Sequence, residues 1–333
     1  MNIYVSVIIT SYNSEGFLRK TLENITSQTF KNMEIICIDD CSQDSTFSII
    51  SEFSKIDKRI KPIKNNKNLG AGKSRNIGFA NSKGDYIIFL DDDDIYEKNL
   101  VEVAYESITK YNAEILIYRS RGYNEEIDKE IETGWTININ KIHPETIFNA
   151  YDIKENFFQS FIWWAWDKIF KRSIIEKNNL EFQSIDSAND MHFVVKAFLL
   201  ADKMVYIDNK LIKHIFDRKN SISNTREKRY MGAIFALEEV LSTLKYLNFD
   251  SIYLKSFKKY SITYLEWYIN TISGNAYFSL FCEIKKFLTK LDIKKDDLEN
   301  DHIFVVYQNL MFLTPLEYLF NLKDKLLNDL NGK

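Results

Sequence analysis

The densest concentration of reactive side chains is Asp91-Asp92-Asp93-Asp94, four carboxylates that follow the apolar run Tyr86-Ile-Ile-Phe-Leu without a break. Adjacent carboxylates repel one another, so a partly buried cluster takes up protons or holds a counterion. A run of charges is commonly just a solvated loop. This one stands where a buried strand should end, and ligands of open α/β sheets bind just beyond the carboxyl ends of the strands. The placement favours a cation site, and an all-oxygen donor set suits a hard divalent ion, Mg²⁺ or Mn²⁺. A second acidic pair, Asp39-Asp40, closes the run Glu34-Ile-Ile-Cys-Ile in the same way.

Other residue groups carry usable chemistry. Asp190, in Asn189-Asp190-Met191-His192-Phe193, opens a helical pattern, where a first-turn carboxylate serves equally as a cap or as a working group. Lys73 and Arg75 lie in Asn68-Leu-Gly70-Ala-Gly72-Lys73-Ser74-Arg75, which imitates two phosphate motifs. Gly72-Lys73-Ser74 resembles a P-loop tail, but the required earlier glycine falls on Lys67; Gly70-Ala-Gly72 resembles a dinucleotide fingerprint, but its third glycine falls on Arg75. Both readings fail. What remains is a flexible loop whose two cations suit a diphosphate.

Two aromatic or basic groups come later in the chain. Trp163-Trp164-Ala-Trp166-Asp167-Lys168 holds three of the five tryptophans. Their faces suit the CH faces of a sugar ring, with Lys168 reaching a phosphate or hydroxyl, while a core cluster should claim at least one of the three. His214 has Lys213, Arg218 and Lys219 as neighbours. A lone histidine is usually structural, but this company suits a pyrophosphate, and imidazole is an acceptable Mn²⁺ ligand.

Alternating apolar runs and helical patterns must position these groups. Val5-Ser-Val-Ile-Ile reads as a first strand, with Asn13 or Ser14 capping a helix of stripe Phe17, Leu18, Leu22 and Ile25. The Glu34 strand comes second, and Ser42 to Ser45 offer caps for a helix carrying Phe47, Ile50, Phe53 and Ile56. Pro62 marks a short strand near residue 60 as an edge or a strand start. Further strands are expected at Tyr86, at Glu114-Ile-Leu-Ile-Tyr and at Met204-Val-Tyr-Ile, with a helix over residues 100–111. This order argues for a mostly parallel sheet with right-handed crossovers. Residues 120–160 read as irregular. From Arg229 onward the chain reads as helical, and Thr314-Pro315-Leu316-Glu317 as a capping box. That last helix carries a stripe of Leu316, Leu319, Phe320, Lys323, Leu327 and Leu330. Such a stripe packs on its own chain or on a second copy, with membrane-surface contact the minority reading.

Bulk properties narrow the class. The 333 residues suffice for an α/β domain and a second unit, and 45% apolar with 27% charged is a globular composition. The net charge of −3 implies no attraction to nucleic acid. No apolar run reaches the length of a membrane span, and Met1 leads into a strand without a signal peptide. Cys37, Cys41 and Cys282 have neither disulfide-framework nor zinc spacing and fit a reducing cytoplasm.

Over residues 3–225 the motifs together resemble the family 2 glycosyltransferases. The pieces that carry the likeness are Val5-Ser-Val-Ile-Ile-Thr-Ser-Tyr-Asn13, Gln28-Thr-Phe30, Glu34 through Asp40, Asn68-Leu-Gly70 with Arg75-Asn76-Ile-Gly78, and Gly84 through Asp94. Weaker matches are Trp166-Asp-Lys168, Asn189-Asp190 and Arg218-Lys-Asn-Ser-Ile222. The resemblance implies an α/β GT-A fold with a mostly parallel central sheet flanked by helices. It divides the chain into a transferase domain over 1–225 (nucleotide half 1–118, acceptor half 119–225) and a helical extension over 226–333.

Carried over by position, it implies that Thr10 and Tyr12 flank the nucleobase and that Asp40, with Asp39 the second choice, accepts from the uracil N3–H. Lys73, Arg75 and Arg218 would serve the phosphates. Asp91-Asp92-Asp93 occupies the Asp-x-Asp motif, with Asp93 as direct Mn²⁺ or Mg²⁺ ligand, Asp91 nearer the ribose and metal waters, and Asp92 on the nucleotide side. His214 falls near a metal-binding histidine. Asp190 matches the general base, and Trp164, Trp166, Lys168 and Asn189 fall on the acceptor side. The implied activity is inverting transfer from a UDP-sugar to a glycan or lipid-linked glycan of a bacterial surface pathway, at the cytoplasmic face. A nucleotidyltransferase and a non-catalytic assembly partner are the rival classes. Three departures stand out. Asn189 replaces a common glutamate, which should ease ionisation of Asp190. Cys41 replaces a usual glycine, which is tolerable only at negative φ. The tyrosine and arginine expected before Asn220 are matched only by His214, Phe216 and Arg218.

Overall fold

Unbroken runs of β-branched and apolar residues become strands buried on both faces. The first is β1 (Val5–Ser11), which lies between β2 (Met33–Asp39) and β4 (Tyr86–Asp91), with β3 (Ile60–Lys64) outside β2. All three pairings are parallel. Every residue of β1 and β2 is buried, and each isoleucine or valine so enclosed contributes about 1.5–3 kcal/mol. Pro62 sits on β3, the edge strand its missing N–H requires.

The computed structural model describes residues 3–124, 128–139, 142–216, 226–298 and 301–322. The chain forms two compact units, Met1–Ile153 with Ser160–Lys219, and Lys154–Gln159 with Asn220–Lys333. The first unit carries helices α1 (Leu18–Thr26), α2 (Thr46–Ile56), α3 (Ala71–Ala80) and α4 (Leu100–Lys110). Its sheet continues from β4 through β8 (Lys168–Lys171), β6 (Ile115–Asn124), β9 (Met204–Phe216) and β5 (Ile95–Tyr96), with β7 (Lys129–Ile131) on β6. The long ladders are parallel; the antiparallel ones, β4–β8, β6–β8, β5–β9 and β6–β7, each cover two or three residue pairs. The expected mostly parallel α/β sheet is present.

Three local expectations are corrected. Residues 120–124 are not irregular but extend β6 along β9, past register shifts at Tyr118/Arg119 and Arg119/Ser120. Gly122 makes this extension feasible, because a Cβ there would meet the Phe216 ring at 2.5 Å. Neither Asn13 nor Ser14 caps α1, whose N-cap is Phe17; Ser14 gives its hydroxyl to Asp92 instead. Ile56 is 77% exposed at the end of α2, leaving Thr46, Ile49, Ile50 and Phe53 as the buried face, while the cap expected within Ser42 to Ser45 comes from Asp44, whose carboxylate accepts from the Thr46 N–H at 3.0 Å.

After β8 come α6 (Arg172–Lys177) and α7 (Met191–Leu200), following the short α5 (Phe157–Ser160). The second unit is helical: α8 (Gly232–Tyr246), α9 (Asp250–Asn270), α10 (Gly274–Lys290) and α11 (Asp301–Phe312). Within it Ser256 accepts from the Phe158 N–H at 3.1 Å and donates to Gln159 at 2.7 Å. The Thr314–Glu317 capping box forms, at 2.7 and 3.2 Å. The buried position that follows it is Tyr318, against Phe281, whereas Leu316 and Phe320 of the expected stripe are exposed. Lys323, Leu327 and Leu330 lie outside the described residues. No described helix is long and apolar enough to cross a membrane.

Candidate active site

Parallel pairing brings the strand tips level. Thr10 stands opposite Asp91, and Ser11 opposite Asp39. Carboxylate oxygens of Asp91, Asp93 and Asp94 all lie within 4.8 Å of one another. This is a hard-donor set of the kind a divalent cation takes. Asp92 takes a different course: its carboxylate accepts from Ser14, and its carbonyl accepts from the Thr21 hydroxyl at 2.7 Å. Directly after the acidic run, Ile95 and Tyr96 pair with Lys213 and Ile212 of β9. That turn delivers Asp94 to β9, where its Oδ1 accepts from the Ile215 N–H at 3.0 Å and meets His214 Nδ1 at 2.9 Å.

His214 is therefore a partner of Asp94 through Nδ1 and lies beside the three-acid cluster. Burial works against its charged form, but Asp94, aided by Asp91 and Asp167, outweighs burial and raises its pKa.

Arg75 joins the two acidic regions. It lies on α3, not in a flexible loop, because Gly70 takes a left-handed φ of 82° and the helix starts at the next residue. Its guanidinium donates to Asp91 Oδ1 and to Asn189 Oδ1, each at 2.7 Å, and packs over Phe182. Gly72 permits this approach; a Cβ there would lie 2.1 Å from the Gln183 carbonyl oxygen. Asn76 secures the same segment by exchanging two 2.9 Å hydrogen bonds with the Phe182 backbone. Lys73 is exposed on the same helix.

The Asn189 carboxamide oxygen is thus engaged by Arg75. Asp190, the next residue, precedes α7 without capping it through its side chain. Burial is the largest influence on its carboxyl and raises the pKa; Asp91 adds to this, while Arg75 and Lys168 oppose it. Asn189 spares Asp190 the repulsion of a neighbouring carboxylate, and desolvation raises its pKa all the same.

The tryptophan cluster divides by depth. Trp163 is buried against Phe161 and Phe198. Trp166, only 4% exposed, lies between Trp164 at 4.7 Å and His214 at 5.0 Å, so it offers no open face to a sugar. Lys168 is also corrected. It is fully buried, and its ammonium donates to Asp167 and to the carbonyls of Ile162 and Trp164. It fixes the Trp164 segment and is out of reach of a substrate. Burial lifts the Asp167 carboxyl to about 6 despite that ammonium.

At the other end of the row of strand tips, Tyr12 is 46% exposed and Thr10 is buried. The Asp40 carboxylate accepts from Asn65 Nδ2, the Leu69 N–H and the Gly70 N–H at 2.8–2.9 Å, so it organises the approach to α3. Asp39 accepts from the Ser42 N–H, and its buried Oδ2 has no hydrogen-bond donor, with Lys64 Nζ 3.7 Å away. Arg218 lies outside the described residues.

Residues 6–177 match the family described as Glycosyl transferase family 2. The chain belongs to this family. Glycosyltransferase GlyA of Streptococcus pneumoniae is 32% identical over 248 residues, covering 72% of this chain but only 34% of GlyA. Among solved structures, Staphylococcus aureus TarS in complex with UDP-GlcNAc shares the fold, with a TM-score of 0.69 at 18% identity over 91% of this chain and 84% of that one. The Pyrobaculum calidifontis mannosyltransferase PcManGT, in complex with GDP-Man and Mn²⁺, has a TM-score of 0.54 at 13% identity, covering 94% of this chain and 88% of that one. The two solved structures share the α/β GT-A architecture described for this chain.

The inward turn of Asp94, already expected in the acid cluster, and the placement of Trp135 against Trp164 are the two features that local sequence did not show. Asp94 was visible as the fourth acid of its run, but only the β5–β9 pairing shows it turned inward. Trp135, in the 3₁₀ turn Gly134–Thr136, meets Trp164 at 5.7 Å and has no local motif to announce it. The departure at Cys41 has a measurable consequence, since its φ of 65° is left-handed after all. A side chain there costs roughly 1 kcal/mol. Cys41→Gly is expected to raise stability by up to about that amount, read as a higher melting temperature; an unchanged or lower one refutes the strain.

Proposed function

We propose that this family 2 chain transfers a sugar from a nucleotide-diphosphate donor to an acceptor hydroxyl in one inverting displacement, with Asp190 as general base. The observation that carries this reading is the Arg75 bridge, which ties Asp91 of the acid cluster to Asn189 beside Asp190. An alcohol is a weak nucleophile, so a carboxylate within hydrogen-bonding reach must take its proton as the new bond forms. Desolvation makes the Asp190 carboxylate a better proton acceptor than a solvated one.

The oxygens of Asp91, Asp93 and Asp94 fit Mn²⁺ or Mg²⁺, which when bound would stabilise negative charge on the departing diphosphate. Asp93 is the proposed direct ligand. Arg75 and Asp92 hold the turn in place, and Asp94 does so from β9. On the nucleotide side, the exposed Tyr12 ring and Thr10 would flank the base, and Asp40, with Asp39 as the second choice, would accept from the uracil N3–H. UDP as the nucleotide finds support in the TarS likeness. The glycan or lipid-linked acceptor, the surface-glycan role and a cytoplasmic location belong to the same proposal, the last supported by three unpaired cysteines.

Incubation with UDP-sugars and identification of the released nucleotide tests the reaction class: UDP is expected, and pyrophosphate would overturn it. Asp93→Ala is expected to weaken UDP binding in calorimetry with Mn²⁺ but not in its absence. Equal affinities for both proteins under both conditions would remove Asp93 from the metal site.

A further inference from the structure

Trp135 is half exposed although it is among the largest apolar side chains in its unit. Its position is fixed. Thr133 gives its hydroxyl to the Ser120 carbonyl, the Thr136 N–H donates to Thr133 at 3.0 Å, and the Ile162 N–H donates to Thr136 at 3.1 Å. Thr133 and Thr136 are both buried, so a rigid turn holds the indole out. The ring stands at 75° to Trp164, whose plane is nearly parallel to Trp166 at 21°, and Trp166 in turn is nearly parallel to His214 at 20°. The column therefore runs from solvent at Trp135, in steps of 5.7, 4.7 and 5.0 Å, to the histidine bonded to Asp94.

The surroundings define what such a ring could hold. Lys129, Glu130 and Glu132 are exposed on the neighbouring segment, and Glu132 pairs with Lys210. A lipid chain or a protein partner would call for a contiguous apolar patch of several hundred Å², whereas here the indole has Ile131, 37% exposed, as its apolar neighbour on that segment, inside a charged rim. An aromatic face carries negative quadrupole density and attracts polarised C–H bonds, while the polar rim can serve hydroxyls. A pyranose ring presents both features at once.

We infer that Trp135 and Trp164 form an acceptor subsite for a sugar other than the one that reacts, so that the preferred acceptor is an oligosaccharide and not a single glycoside. This rests on the glycosyl-transfer reading above, because the column leads to that site. Trp164 also meets His214 directly at 5.7 Å, so two ring contacts lead from Trp135 to the histidine bonded to Asp94, and the stacking position stands one ring removed from it.

Binding of lactose, cellobiose and N,N′-diacetylchitobiose, each beside its methyl monoglycoside, can be followed by saturation-transfer NMR on the full chain with UDP and Mn²⁺. At least one disaccharide is expected to bind roughly tenfold more tightly than its monoglycoside, the scale of one aromatic stacking contact. Trp135→Ala is expected to erase that difference and Trp135→Tyr to keep most of it. In steady-state transfer the alanine variant should raise acceptor KM and leave kcat within about twofold. Tyr246→Ala, at an 85% exposed position in the helical unit, should leave the difference intact. Retention of the disaccharide preference in Trp135→Ala, or no such preference in the wild-type chain, overturns the subsite. Failure of the wild-type chain to bind UDP overturns instead the reading on which the subsite rests.

Discussion

Asp190→Asn is expected to bind UDP as the wild-type chain does and to lose turnover by a factor on the order of 10² or more. Asparagine keeps the shape of the side chain but cannot take a proton from an alcohol. The Asp190 carboxylate is not used to cap α7, so its loss should leave the helix start intact. The pH dependence gives a second reading of the same group. Asp190 works only when ionised, and burial raises its pKa above the usual carboxylate value of about 3.9. Turnover should therefore fall as pH drops through that raised value, and the residual activity of the asparagine variant should lack this acid limb. Wild-type turnover in Asp190→Asn, or the same acid limb in both proteins, would refute the assignment.

Arg75→Met should have the largest combined effect on stability and activity. The guanidinium is buried, whereas the Asp91 side chain keeps 30% exposure. Breaking the pair should cost roughly 3 kcal/mol, the low end for a buried ion pair that loses one member. Asp91 would then face the other acids uncompensated, and Asp190 would lose the cation that most favours its ionised form. The acid limb of the pH–rate profile should move to higher pH, the direction expected when an opposing positive charge is removed. Arg75→Lys should not restore the wild-type profile, because an ammonium cannot span Asp91 and Asn189 with a planar fork. Chemical denaturation measures the stability term. An unshifted acid limb in Arg75→Met would separate Arg75 from Asp190 and remove the bridge on which the proposed site depends.

The sequence by itself determined the parallel strands that carry the acids, because runs such as Val5 to Ile9 and Ile87 to Leu90 admit no exposed face. It also determined that acids end those strands, since residue order alone fixes which side chain follows the last buried position. The family membership followed from the same motifs in order. What the sequence could not determine was which charged groups are already committed to one another. Arg75 and Asn189 are separated by 114 positions, and Asp94 and His214 by 120. No local pattern encodes such pairs, because each depends on the sheet register and on close approaches like the one at Gly72. Lys168 reads as an available cation until the fold encloses it. Trp135 reads as a loop residue until a rigid turn sets it against Trp164. Tertiary structure decided these cases because a side chain's partners depend on distances in space, and those are set by packing among elements far apart in the chain.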